Sequence, residues 1–154
     1  EIAQCLVGSE MCIRDSFTDD YKNAVKDCPY APFFAIVSPS QSYHTFDGKD
    51  VKGEDIDIVS RLVFMQKMHK THPVTGTVCM STAARIPGSI VNRNLSERGK
   101  AERRIWIGHP AGVIPAVSVL DNVDGEYKLR TAAILRTARV IMDGTVYVRR
   151  SRVE

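Results

Sequence analysis

The chain has 154 residues, 44% of them apolar and 25% charged, with a net charge of +3. That fits one domain able to bury about two thirds of its unfolded surface without disulfides or metals. No apolar run is long enough to cross a membrane, and so mild a basic excess suits a small anion at least as well as nucleic acid.

At the N-terminus, Glu10-Met11-Cys12-Ile13-Arg14-Asp15-Ser16 reads as the translation of a transposase mosaic-end adapter, so residues 1–16 are expected not to be native. A signal peptide would need a basic segment before its apolar residues, and none is present. The chain is then expected to be a gene fragment truncated at its N-terminus, with residues 17–154 as its single lobe. Without Glu1, Glu10, Arg14 and Asp15 the net charge rises from +3 to +5, and Cys28 and Cys79 are the cysteines left. Two cysteines make no disulfide framework, and a reducing, cytoplasmic setting is expected.

Phe17 to Asp27 is polar and reads as a short helix or the tail of another element, and the prolines of Cys28 to Pro32 mark a linker. Phe33 to Val37 is a short apolar run bounded by prolines, as a buried strand is. Ser38 to Gly53 is turn-rich, with a hairpin tip at Asp47-Gly48. Glu54 to Met68 reads as a helix, with Ile56, Val59, Leu62, Val63 and Met65 near one face and Asp55 and Asp57 in its first turn.

Pro73 to Gly88 is the stretch around which the rest is organised. Thr75 is placed to cap, Val74 and Cys79 have the spacing of a hydrophobic staple, and Pro87-Gly88 stops the run. Its side chains are small or apolar nearly all round, so the helix is expected inside the core.

Ser89 to Asn92 reads as a short strand, and Arg93 to Arg103 as a solvated charged run. Strands are expected at Arg104 to Ile107, Val113 to Leu120, Tyr127 to Thr137 and Thr145 to Val148. Gly108 to Gly112 forms a turn, and Asp124-Gly125 a hairpin.

The start of the central helix is the first place to look for chemistry. The backbone N–H groups of Gly76, Thr77 and Val78 are read as lacking a partner within the helix. Together with the helix dipole they suit a carboxylate or phosphate. His69 and His72 precede that helix and His109 lies in a Gly-His-Pro turn, where an imidazole can donate to a carboxylate or shuttle a proton. The three-residue spacing of His69 and His72 invites a metal, but no third ligand follows at a suitable spacing. His44 is expected at the surface. Cys79 is either a thiolate base or, one turn into a buried helix, a small packing residue. Arg61 and Arg85 interrupt apolar stretches, where a cation calls for an acid or a bound anion. Arg149-Arg150-Ser151-Arg152 reads as a solvated tail.

His69-Lys70, Pro73-Val74-Thr75-Gly76, Cys79, Ala83-Ala84-Arg85-Ile86-Pro87-Gly88, Ile107-Gly108-His109-Pro110-Ala111-Gly112 and Arg136-Thr137-Ala138-Arg139-Val140-Ile141-Met142-Asp143-Gly144 with Val146-Tyr147-Val148 occur in one order. Together they resemble the C-terminal half of PrpF-type proteins, over roughly Ala31 to Val148. That family includes 2-methylaconitate cis-trans isomerases, methylitaconate isomerases and 4-oxalomesaconate tautomerases. The resemblance implies an α+β, diaminopimelate epimerase-like lobe, with an antiparallel barrel-like sheet wrapped around a central buried helix. It implies no cofactor and no metal, and a proton shift within a small unsaturated di- or tricarboxylate. Substrate would lie between two lobes, against the N-termini of both helices. Family chains are more than twice this long. The lysine and cysteine proposed as acid and base lie in the N-terminal lobe that this chain lacks, so the fragment is expected to be inactive alone. Where the family has Ser-Met-Gly, this chain has Phe64-Met65-Gln66.

Carried onto this chain, the resemblance leaves half of a site: Thr75, Gly76 and Thr77 for a carboxylate, His69 and His109 as polar walls, Arg61 as counter-charge, and Cys79 as the remaining catalytic candidate. The expected partners are a small carboxylate, the missing N-terminal lobe and, compatible with both, a second copy of the chain. Neither nucleic acid nor a membrane is expected. The rival reading is a non-catalytic carboxylate-binding or interaction module.

Overall fold

The computed structural model describes residues 21–27, 34–65, 67–136 and 138–150. The adapter-like residues 1–16 and the linker at Cys28 to Pro32 lie outside them. Tyr21–Asn23 forms a 3-10 turn leading into the short helix α1 (Ala24–Asp27).

The core is a six-stranded sheet. In chain order its strands are β1 (Phe34–Pro39), β4 (Ile58–Phe64), β5 (Lys67–Met68), β6 (Arg104–His109), β7 (Gly112–Val123) and β8 (Glu126–Ile134). The small hairpin of β2 (Tyr43–His44) and β3 (Asp50–Val51) stands apart, its tip at Asp47-Gly48 as the sequence predicts. The main order is β1-β4-β6-β7-β8, with β5 folded back on β4. All pairings are antiparallel except β4 with β6, which run parallel with Ile58 opposite Ile107 and Val59 opposite Gly108. A parallel pair needs a long crossover. The three helices between these strands supply it: α2 (Val74–Ala83), α3 (Ile90–Asn94) and α4 (Glu97–Ala101). The result is a mixed α+β fold with a curled half-barrel sheet.

Alternation along the strands builds a core on each side of the sheet. Ile58, Ile105 and Ile107 meet Met80 and Ala84 of α2, with Leu95 and Ala116 completing that cluster. On the opposite face Val59 packs with Val51 and Ile56, beside Tyr43 and Val113.

Five sequence expectations need correction. The apolar run at Phe33 to Val37 does form a strand, but β1 is an edge strand with Phe34 and Ile36 exposed rather than buried. Glu54 to Met68 is not a helix but a 3-10 turn (Gly53–Asp55) followed by β4. The apparent helical spacing is that of a central strand buried on both faces, which reads as a near-continuous apolar run. Ser89 to Asn92 is not a strand. Ser89 caps α3, its Oγ accepting from the Asn92 N–H at 3.0 Å. Thr145 to Val148 pairs with nothing among the described residues, and 138–150 is exposed and holds no strand. The central helix is buried on one face only. Gly76, Thr77, Met80, Ser81 and Ala84 turn inward, while Val74, Thr75 and Cys79 are exposed. With small residues on every side, composition could not tell the two faces apart.

The charged run at 93–103 is solvated only in part. Asp57 is fully buried, and its carboxylate accepts from Ser96 Oγ at 2.5 Å, Arg98 Nε at 2.9 Å and the Trp106 N–H at 2.8 Å. Ser96 also caps α4, accepting from the Gly99 N–H at 2.9 Å. Arg85, just past α2, donates to the carbonyls of Gly99 and Arg103, both at 2.8 Å, and so ties down the end of α4. Burial holds the Arg85 guanidinium below its usual range.

Candidate functional site

The site gathers at the start of α2. Pro73 occupies the N-cap position, so no cap side chain bonds the first turn, and Thr75 is exposed rather than capping. The first intrahelical bond runs from the Thr77 N–H to the Pro73 carbonyl at 2.8 Å. The open donors are therefore the N–H groups of Val74, Thr75 and Gly76, one register earlier than the sequence suggested. Thr77 is fully buried, and its hydroxyl lies 2.9 Å from the Pro73 carbonyl and 2.8 Å from His72 Nδ1.

Three imidazoles lie near this turn. His72 is buried, 6.5 Å from the His109 ring centre to centre. Its pKa falls from 6.5 to about 4, chiefly through burial and then through the neighbouring His109, with His69 adding a smaller push in the same direction. His109 is also buried and held below its usual range, by burial first, then Arg61 and His69. The Ala111 N–H donates to His109 Nδ1 at 3.2 Å, and the Thr71 N–H donates to His69 Nδ1 at 3.1 Å. In the neutral His109 ring the proton then sits on Nε2, which leaves an N–H donor for a ligand. His69 Nδ1 also lies 3.1 Å from the Thr71 carbonyl, so its contacts fit either tautomer.

The charges acting on His72 and His109 are all basic. The neighbourhood therefore disfavours further positive charge and favours an anion. Among the described residues no three His, Cys, Asp or Glu side chains gather as a metal site.

Of the residues the sequence singled out, His72 and Thr77 are bonded to each other, His109 lies 6.5 Å from His72, and His69 acts on both rings, while Thr75 and Gly76 stand in the first turn that Thr77 closes. Arg61 lies on the other face of β4 from Ser60, by strand alternation. Its guanidinium stacks 4.5 Å above the Tyr43 ring and donates to the carbonyls of Ser60 (2.9 Å) and Gly108 (3.4 Å). It acts on His109 through its field. Cys79 is free and exposed on α2, not packed as a core residue.

Two contributors escaped the sequence reading. The Tyr43 hydroxyl lies 2.8 Å from the His109 carbonyl and 2.6 Å from the Gly112 carbonyl and shares its one hydrogen between them, pinning the β6–β7 turn, and burial raises its pKa. Ser60 Oγ lies 3.0 Å from His72 Nε2. A buried serine and an aromatic in a turn-rich loop carry no pattern that marks them.

A family model described as PrpF protein matches residues 9–149. The 3-methylitaconate isomerase of Eubacterium barkeri is 43% identical over 148 residues, which are 96% of this chain and 38% of that protein. The 2-methyl-aconitate isomerase of Shewanella oneidensis is 36% identical over 119 residues, covering 77% of this chain and 30% of that protein. A crystal structure of a methylitaconate-delta-isomerase superposes with a TM-score of 0.74 at 42% identity, over 96% of this chain and 37% of the other. The chain thus spans less than two fifths of the length of these relatives.

Proposed function

The chain belongs to the PrpF family, and from that membership we propose that it forms one lobe of a cofactor-independent isomerase that shifts a proton and a double bond in a small unsaturated di- or tricarboxylate. The lobe is read as diaminopimelate epimerase-like, with a sheet that curls around α2. The methylitaconate and methylaconitate named for its relatives give the substrate class.

The observation that supports this reading is a cluster of basic groups beside the open first turn of α2: His72 is bonded to Thr77 of that turn, His109 lies 6.5 Å from His72, and His69 and Arg61 act on these rings. A substrate carboxylate bound to the Val74, Thr75 and Gly76 N–H groups would be held at the positive end of the helix dipole. When a base removes the allylic proton, the electron pair spreads into that carboxylate. The same N–H groups, and the Nε2–H donor of His109, with His69 as a further polar wall, would stabilise the charge that develops. Return of a proton at the other end of the three-carbon unit completes the double-bond shift. Arg61 would lower the energy of the charge from a distance. The base and acid would come from the part of the relatives' length that this chain does not include, working within the cytoplasm. Cys79, exposed one turn along α2, is the candidate on this lobe.

The test is proton NMR on the longer gene product mixed with methylitaconate. The expected outcome is loss of the vinylic methylene signals, gain of a methyl signal, and no effect of a chelator. Turnover abolished by chelator, or carboxylate binding without turnover, would replace this reading with the metal-dependent or the binding-module one. Cys79→Ser in the same product separates the thiol from the rest. Retained turnover assigns the base elsewhere.

A further inference from the structure

We infer that His72 is a positioning residue: bonded at one ring nitrogen to Ser60 of β4 and at the other to Thr77 of α2, it fixes the helix start against the sheet and so sets where the N–H groups of Val74, Thr75 and Gly76 stand. The inference rests on the proposed use of those N–H groups for a substrate carboxylate.

The donor count supports it. His72 is 5% exposed, and Ser60 and Thr77 are fully buried. Each heteroatom in such a place needs a partner. The Thr77 hydroxyl has one hydrogen. If it goes to the Pro73 carbonyl, His72 donates from Nδ1 to Thr77 and receives the Ser60 hydroxyl at Nε2. If it goes to Nδ1, His72 donates from Nε2 to Ser60. A neutral imidazole closes both bonds in either case, at 2.8 Å and 3.0 Å.

The location gives the bonds their consequence. Pro73 has no N–H and the N-cap makes no side-chain bond, so the first turn lacks the usual anchor. Among the described residues His72 is the side chain that hydrogen-bonds both to that turn and to β4. The groups that face it are basic: His109 from β6 and His69 at the end of β5, with Arg61 of β4 acting on His109. A second proton on His72 would add charge beside them in a buried place, which its depressed pKa reflects.

The test uses the 154-residue chain, with itaconate as the probe. Wild type, His72→Phe, His72→Gln, Ser60→Ala and Thr77→Val are compared by amide hydrogen exchange, by the amide shifts of residues 74–76 and by itaconate affinity, each beside a thermal midpoint. His72→Phe is expected to exchange its Thr77 and Val78 amides about tenfold faster and to bind itaconate about tenfold more weakly. His72→Gln, which restores one bond at a time, should recover part of both. Thr77→Val and Ser60→Ala should follow His72→Phe in direction, and they carry the measurement if His72→Phe does not fold. If His72→Phe folds with unchanged exchange and unchanged 74–76 shifts, the inference is overturned. If wild type shows no itaconate shifts at 74–76, carboxylate binding by these N–H groups in this lobe alone is overturned, the two-lobe isomerase reading passes to the NMR assay above, and the exchange data still decide the role of His72.

Discussion

Gly99 sits where one added methyl group would strike Asp57: a Cβ built there lies 2.9 Å from the Asp57 Cβ and 2.9 Å from the Leu95 Cγ. Neither neighbour can swing away, because Asp57 is held by Ser96, Arg98 and the Trp106 N–H, and Leu95 belongs to the core. Gly99→Ala is therefore expected to cost about 1–3 kcal/mol as an overpacking change. Asp57→Asn keeps the shape but turns an amide NH2 toward a donor on one side or the other. It should cost about 1–3 kcal/mol through one unsatisfied buried group. Urea denaturation of both variants checks the pair, and midpoints equal to wild type would contradict the crowding and the hydrogen-bond count together.

The histidines predict the direction of the pH dependence. His72 has a folded pKa of about 4 against 6.5 for the free side chain, so between these values the unfolded chain binds more protons than the folded one. Stability is then full above pH 6.5 and falls as pH drops toward 4. The fall from His72 alone is about 3 kcal/mol. His109 is shifted the same way and adds to the loss. Denaturation curves from pH 7.5 to pH 4 read the slope, and His72→Gln should flatten most of it.

Ser81 of α2 and Ser118 of β7 are both buried, with their hydroxyls 2.6 Å apart. Removing one leaves the other a fallback: Ser81 keeps the Val78 carbonyl at 3.0 Å, and Ser118 keeps a 3.4 Å approach to Thr82. Ser81→Ala and Ser118→Ala should each cost about 1 kcal/mol. The double variant should cost less than their sum, by about 0.5–1 kcal/mol. Strict additivity in the double-mutant cycle would show that the helix does not use this bond to seat itself on the sheet.

Tyr43→Phe removes the hydroxyl that bonds the carbonyls of His109 and Gly112 while leaving the ring under Arg61. The expected cost is about 1–3 kcal/mol. A broadened or shifted His109 ring signal at neutral pH should accompany it, because the β6–β7 turn loses its clamp. Imidazole NMR of the variant makes the comparison.

The sequence announces the β6–β7–β8 meander well, because Asp124 and Gly125 take φ of 55° and 87°, the conformations an Asp-Gly hairpin tip favours. It also announces α2, though not its half-open burial. It misleads at β4, where burial on both faces erased the two-residue period, and at Ser89, whose capping pattern competes with an apolar pair that looks strand-like. Among the site residues, His69, His109 and Gly76 were legible from their setting beside the helix start. Arg61 was legible as an unusual charge, but a single sequence cannot say which face of a strand it takes. His72 was legible as an imidazole before the helix, though not its bonds to Ser60 and Thr77. Ser60 and Tyr43 were not legible as parts of the site, because nothing in their local sequence marks contacts made across the fold.

The parallel seam between β4 and β6 has a consequence for how the chain reaches this state. Asp57 and Trp106, which flank it, are 49 residues apart, and closing a loop of that length costs entropy before any contact repays it. The β6–β7–β8 meander needs only adjacent turns, so it is expected to zip early, with the seam joining late and limiting the refolding rate.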